Sequence, residues 1–563
     1  MAAITTTAAG AWSATGTWTG GTIPGNGDTV TLNHAVSVTD SRTVGVSPVA
    51  GAGTKAIRCN AVLTIASGGV LKVRGDIGLN DVGLTVAAGG ILEFDASAAG
   101  TPSTARYVCK GINATDPNST ITVTGSSGSH AIIRSNAGGA NGRFTHNGND
   151  NSGYFNATFC DFLRIGDASN PAMTFIIGGG AALSLVDCTF DACGSIGDKF
   201  GVTCDAQALV TLTRVRTVNS VGDSLGLPFD DRSGSGVRSV TFCDFDSYSN
   251  FYKAGGYVIT DTVFRQGYDA TGAAWTTFQR NVLAFPQAAA GDWAVLGTAR
   301  DLYCVRVGAP TNPHYLTMGD LSDRVTGCVF DCPDGDGNQG NGDCITFNAP
   351  SSAQTITIDH NIALHINNQN VGTMLSCLGG ANLTVIAEHN TYHGGQGIYL
   401  GETYTGHSGM VSSLKSNLMY VKTGTGLVIR TDVGVLQNVV LSANVLKNGQ
   451  WNPLGTGYDT NMTFSSGTPG AGDVVGNPLF MDVDRNIKTW DAALGGPGTI
   501  LNAVNQIGLG NRTVQSLLDY VRAGFKPAYR DLNSAHDNVA PSNGWIGAVQ
   551  GARRPPVTIA LGG

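Results

Sequence analysis

Five of the ten histidines, His360, His365, His389, His393 and His407, fall within 48 residues, and two of the three glutamates, Glu388 and Glu402, share that stretch. The segments IDHN and AEHN align Asp359 with Glu388 and His360 with His389. If these lie on neighbouring parallel strands, the two carboxylates stand about 5 Å apart. That is the separation of a retaining glycosidase pair, in which mutual repulsion raises one pKa toward an acid role. Imidazoles from His360, His389 and His393 would then serve as base or metal ligand. The plainer account is a set of hydrogen-bonded or solvated residues beside a structural turn.

Two other clusters carry chemistry-bearing types. Asp230 and Asp231 adjoin in LPFDDRSGSG, where paired acids could act together or simply form a turn beside Arg232. The loop CPDGDGNQGNGDC places Asp334, Asp336, Asn338 and Asp343 as hard oxygen ligands among glycines, which suits Ca²⁺. It lacks the glycine placement and terminal glutamate of an EF-hand, so an ordinary Gly-Asp loop competes with it. Trp275, Tyr315, Tyr392 and Tyr404 are aromatic rings that could stack on sugars if they reach the surface.

The elements that must position these residues are set by composition and repeat. Of 563 residues, 79 are Gly, and charged residues make up 13%. Asp dominates the acids and Lys is scarce, which disfavours helices and favours turns. The net charge of −8 argues against nucleic acid as the main partner. No apolar run is long enough for a membrane helix. The opening MAAITTTAAGAWSATG has neither a basic nor an apolar signal region, so reduced thiols are expected for the 12 cysteines.

Near the start, LTIASGGVLKVRGDI from Leu63 and LTVAAGGILEFDAS from Leu84 align without gaps at a spacing of 21. Each reads as strand, Gly-Gly turn, strand. From about residue 155 a second pattern recurs: apolar, x, apolar, x, x, Cys or Asn, x, apolar. Its sixth position falls on Cys160, Cys188, Val215, Cys243, Thr262, Asn281, Cys304, Cys328, Asn361, Asn390, Asn417, Asn444 and Asn477, at intervals of 19 to 33. One solenoid coil per repeat explains such a series, with small residues stacking at an internal bend. Roughly 17 coils over residues 28–480 would rise about 80 Å at strand spacing.

With this ladder the chain resembles the right-handed parallel β-helix proteins of the pectate-lyase-like superfamily. The opening WSATGTWTGGTIPGNGDTVTLNHAVSVTD and the close NPLFMDVDRNIKTWD with NGWIGAVQG are similar to members found in bacteriophage genomes. The resemblance implies an all-β, single-chain right-handed parallel β-helix. Residues 1–27 are expected as an arm or cap, 28–150 as the 21-residue coils, 151–480 as the main ladder, and 481–563 as a C-terminal cap. Helical spacing at Val514, Leu517, Leu518 and Val521, with Thr513 as N-cap, predicts one substantial helix covering the last coils.

The resemblance further implies a virion protein assembled in the host cytoplasm. It would associate as a homotrimer, join other virion proteins through its N-terminal arm, and grip host surface polysaccharide as a tailspike or tail fibre does. No cofactor is required, and Ca²⁺ is the one ion that the residues of the Asp334 loop themselves suggest. A capsid decoration and a polysaccharide lyase or glycoside hydrolase are the alternatives. The Asp230–Asp231 pair is similar to the paired acids of polygalacturonase-type hydrolases. The Gly-His-Gly element of those enzymes is missing here, and Arg485 to Lys488 lies far from the coil that would need it.

Overall fold

The computed structural model describes the strands and tight bends between residues 2 and 475, and residues 482–525 except position 483. The longer connections between strands, and residues 526–563, lie outside the described set. The chain is a right-handed parallel β-helix, and its described residues are mostly strand, with 3₁₀ turns at Thr15–Thr17 and Thr19–Gly21 and short α-helices near residues 487–524. It divides into two compact units, residues 1–281 with 506–512 and residues 282–505 with 513–563.

In the first unit, each coil contributes strands to parallel sheets. One sheet runs from Ala3–Thr5 to Trp275–Gln279, a second from Gly10–Ala11 to Val263–Phe264, and a third from Arg42–Val44 to Tyr268–Asp269. The 21-residue repeat appears as direct register, Leu63 against Leu84 and Val70 against Ile91. Its Gly-Gly turns have a steric cause. Gly68 and Gly89 sit at φ 75° and 72°, and a Cβ on Gly69 would run into the carbonyl oxygen of Leu32. Alternate residues such as Leu84, Val86, Leu92 and Phe94 point inward and are fully buried.

Residues 1–27, expected as an arm or cap, hold coil register. Ala3–Thr5 pairs in parallel with Thr29–Thr31, and Gly10–Ala11 with Val36–Ser37. The connection is packed by Trp12 and Trp18, whose rings meet edge to face at 4.8 Å while Trp18 Nε1–H donates to the Trp12 carbonyl at 2.7 Å.

The bend ladder is an observed feature of both units. In the first it comprises Cys160, Cys188, Val215, Cys243, Thr262 and Asn281, all buried. Each follows a residue in the left-handed region: Phe159, Asp187, Arg214, Phe242, Asp261 and Arg280, at φ 49–55°. The second unit continues the pattern with Asp301, Gly327, His360 and His389 at positive φ. The ladder residues there are therefore Leu302, Cys328, Asn361, Asn390 and then Asn417. The assignment of Cys304 is corrected by two residues, since Cys304 pairs with Phe330 inside a strand whereas Val329 N–H donates to the Leu302 carbonyl. Asn444 and Asn477 lie outside the described residues. Cys160, Cys188, Cys243, Cys304 and Cys328 are buried free thiols, joined by Cys193 and Cys344.

Among the described residues three α-helices occur where one was expected: α1 (Ile487–Ala493), α2 (Ile500–Gly508) and α3 (Val514–Gly524). Thr513 caps α3 by accepting from Ser516 N–H, and Asn486 with Thr489 forms a capping box on α1. In the second unit α1 and α3 dock against early coils of that unit. The Tyr303 hydroxyl accepts from Ile487 N–H at 3.0 Å, and Arg522 donates to Asp301 at 2.7 Å and to the carbonyl of Gly327. The apolar stripe Val514, Leu517, Leu518 and Val521 is fully buried, so packing of this face fixes where the segment lies.

Candidate functional site

The predicted site falls in the second unit, on the strands Arg324–Thr326, Gln354–Asp359, Leu383–Glu388 and Ser412–Lys415. Their register places Thr326, Asp359, Glu388 and Lys415 side by side, each two residues before its ladder position. The next residue on two of these coils, His360 or His389, is forced outward by its left-handed backbone, at φ 58° and 56°. Equivalent bends on successive coils stack the imidazoles with ring centroids 5.2 Å apart and planes 24° apart.

Beneath this bend the Asn ladder holds the coils. Asn390 Oδ1 accepts from the backbone N–H of Asn361 at 3.1 Å and from its Nδ2 at 3.0 Å. Asn390 Nδ2 donates to the Ile358 carbonyl at 2.8 Å and to Asn417 Oδ1 at 3.0 Å. Each amide thus satisfies backbone groups of two coils that the bend leaves without a ladder partner.

Asp359 is not the half of an open acid pair that was expected. Its side chain is 9% exposed, and Arg324 grips both oxygens, at 2.9 Å through Nε and 2.6 Å through Nη2. His360 Nδ1 lies 2.8 Å from Oδ2 and must carry the proton, because an ionised carboxylate only accepts. Burial pushes the carboxyl pKa up, but the bonds from His360 and Arg324 outweigh it and hold the group far below the usual carboxylate range. Asp359 is a fixed anion and cannot donate a proton in catalysis. Glu388 is half-buried and accepts from Ser413 Oγ at 2.9 Å. What this strip offers a ligand is the exposed part of Arg324 and His360, beside Glu388 and Lys415.

Tyr392 requires a second correction. It is fully buried in register with Ala363, so it is a core residue and gives no platform for a sugar ring. His393 lies on the same strand, Thr391–Gly394, against Leu364, and its side chain is outside the described set. Trp275 begins the strand Trp275–Gln279, and Asp230 ends Phe229–Asp230, again without described side chains. Tyr315, Tyr404, Asp231, Asp334, Asp336, Asn338 and Asp343 all lie outside the described residues. Among the described residues, no three His, Cys, Asp or Glu side chains are grouped to hold a metal ion, and no helix is long and apolar enough to cross a membrane.

Sequence reasoning missed Arg324, the residue that decides the chemistry of Asp359. It sits one coil upstream, and the connection of 33 residues between Cys328 and Asn361 hides its register. No protein-family model, curated protein or solved structure matches this chain.

Proposed function

We propose that the chain is a bacteriophage virion protein of the tailspike or tail-fibre kind, which holds host surface polysaccharide along its coils without cutting it. The observation that carries this reading is the in-register stacking of polar side chains at one coil rise, seen in Thr326, Asp359, Glu388 and Lys415. A polymer of repeating units is best held by a surface that repeats, and sugar hydroxyls suit alternating donors and acceptors. The pairing of Asp359 with Arg324 and His360, which favours its ionised form, supports binding over acid catalysis. The opening and closing segments that resemble phage β-helix chains favour the virion assignment, and with it a homotrimer attached to other virion proteins through its N-terminal part.

The test is purified protein presented to polysaccharides extracted from candidate hosts, with binding and polymer length followed together. The expected result is saturable binding with no shortening of the polymer. Absence of binding, with particle images placing the protein on the capsid shell, would move the assignment to a decoration protein. Shortening of the polymer would move it to a lyase or hydrolase.

A further inference from the structure

The residue before each ladder position stands at a left-handed bend, and in the first unit these residues form a surface row. Backbone bonds fix its order: Phe159 N–H donates to the Val186 carbonyl, Asp187 to Thr213, Arg214 to Thr241, Phe242 to Thr260, and Asp261 to Gln279. Successive coils therefore present Phe159, Asp187, Arg214, then Phe242, Asp261, Arg280. The same triplet, aromatic, acid, arginine, occurs twice with a period of three coils, or about 14 Å at strand spacing.

The acid–arginine pairs of the two triplets are arranged alike. Arg214 donates to Asp187 through Nε and, at 2.7 Å, through Nη2. Arg280 donates to Asp261 through Nε at 3.0 Å and through Nη2 at 3.0 Å. Both are planar, two-pronged pairs, with the arginine the more exposed partner of each. Arg214 is 44% exposed and Arg280 31%, while Phe159 and Phe242 are half-buried. Phe159 is steadied by the ring of His130, 5.7 Å away, and His130 itself bonds Asp161 at 3.0 Å.

Phenylalanine and arginine are poor residues for this backbone. Earlier coils fill the same bend with Gly68 and Gly89, which adopt it without a Cβ clash. The bend requires this conformation at six successive coils, and Phe and Arg occupy it despite the strain.

We infer that this row is a binding strip for an extended polysaccharide whose repeating unit matches three coils. Each triplet supplies a ring face for the C–H face of one sugar and a planar donor–acceptor pair for the hydroxyls of the next. The inference rests on the polysaccharide reading above and locates the contact in the first unit. Two triplets gripping one polymer act in series, so the loss of one is felt through lost avidity as well as lost contact.

The decisive variants are Phe159→Asn and Phe242→Asn, because Asn tolerates the left-handed bend and removes only the ring. A panel of purified bacterial capsular and O-antigen polysaccharides is immobilised on a biosensor and exposed to the full chain. For a polymer that the unaltered chain binds, each single variant should weaken affinity roughly tenfold and the double variant roughly a hundredfold. Thermal melting should be unchanged or slightly raised. If the unaltered chain binds and the double variant binds equally well, the strip is wrong while polysaccharide binding stands. If the unaltered chain binds none of the panel, the polysaccharide reading itself fails.

Discussion

The two units solve the same bend with different chemistry. The first fills it mainly with small apolar or thiol side chains, Cys160, Cys188, Val215 and Cys243, before turning to Thr262 and Asn281. The second uses Leu302 and Cys328 and then three amides, Asn361, Asn390 and Asn417. A thiol there makes long bonds to carbonyls, as Cys328 Sγ does at 3.8 Å to Ala299 and 3.6 Å to Thr326. An amide bonds backbone and neighbour at 2.8–3.1 Å. Bend geometry thus demands a buried, inward residue after a left-handed one. Whether that residue also ties coils together is a separate choice.

Alkali should separate the units most strongly. Burial raises four thiols of the first unit, Cys188, Cys193 and Cys243 up to about 12 and Cys160 likewise upward, against the thiols of Cys304 and Cys328 and the Tyr303 hydroxyl in the second. A raised folded pKa gives stability that is complete below the unfolded thiol value near 9 and is lost as pH rises toward 12. Each such thiol takes stability away at roughly 1 kcal/mol per pH unit across that window, so four thiols against two make the first unit the more sensitive. Hydrogen exchange between pH 9 and 11 should show the first unit opening first. Equal opening of both units would mean that the thiols are not what distinguishes them.

Exchanging one rung for the other kind is the next largest effect. Asn390→Val copies the state found naturally at Val215, yet strips partners from the Asn361 N–H and the Ile358 carbonyl. Leaving two buried backbone groups unpaired should cost about 3 kcal/mol, read as a lowered urea midpoint. A cost below about 1 kcal/mol would make the two ladders interchangeable.

What the sequence made legible follows from the same chemistry. Cys and Asn are conspicuous at a bend, so most ladder positions and the pairing of Asp359 with Glu388 could be read from spacing. Leu302 is inconspicuous, and Asp301 gives no sign of its left-handed backbone. Cys304, two residues on, drew the register toward itself. The first coil was hidden because Gly10–Ala11 is too short to show alternation. Helix α1, with seven residues, announced itself only through its capping box, Asn486 to Thr489. The state of Asp359 could not be read at all, since it depends on an arginine 35 residues upstream.

Removing that anion tests the candidate strip. Asp359→Asn breaks a charge-assisted pair with Arg324 and should cost about 2 kcal/mol near neutral pH. The folded carboxyl pKa is depressed, so this stability is present above the unfolded value near 4 and lost as pH falls below it. The variant and the parent should therefore converge in acid. A constant difference down to pH 2 would assign the loss to packing instead of charge.

The smallest effect concerns bends whose side chains do nothing for a ligand. Ala192 stands at φ 51°, at the second bend of its coil, where its N–H donates to the Val218 carbonyl. The methyl group makes the left-handed backbone less favourable by about 1 kcal/mol, and Gly removes that strain. Gly also gains freedom in the unfolded chain, which offsets part of the benefit. Ala192→Gly should thus change stability by less than about 1 kcal/mol, in the stabilising direction, without touching polysaccharide binding. The contrast with Phe242 is the point of the measurement. Both residues carry the same backbone strain, but only the row of Phe159, Asp187, Arg214, Phe242, Asp261 and Arg280 repeats an aromatic and an ion pair. If Ala192→Gly destabilised the first unit clearly, left-handed strain would not be a cost at these bends. The occupants of the row would then need no explanation beyond their turns.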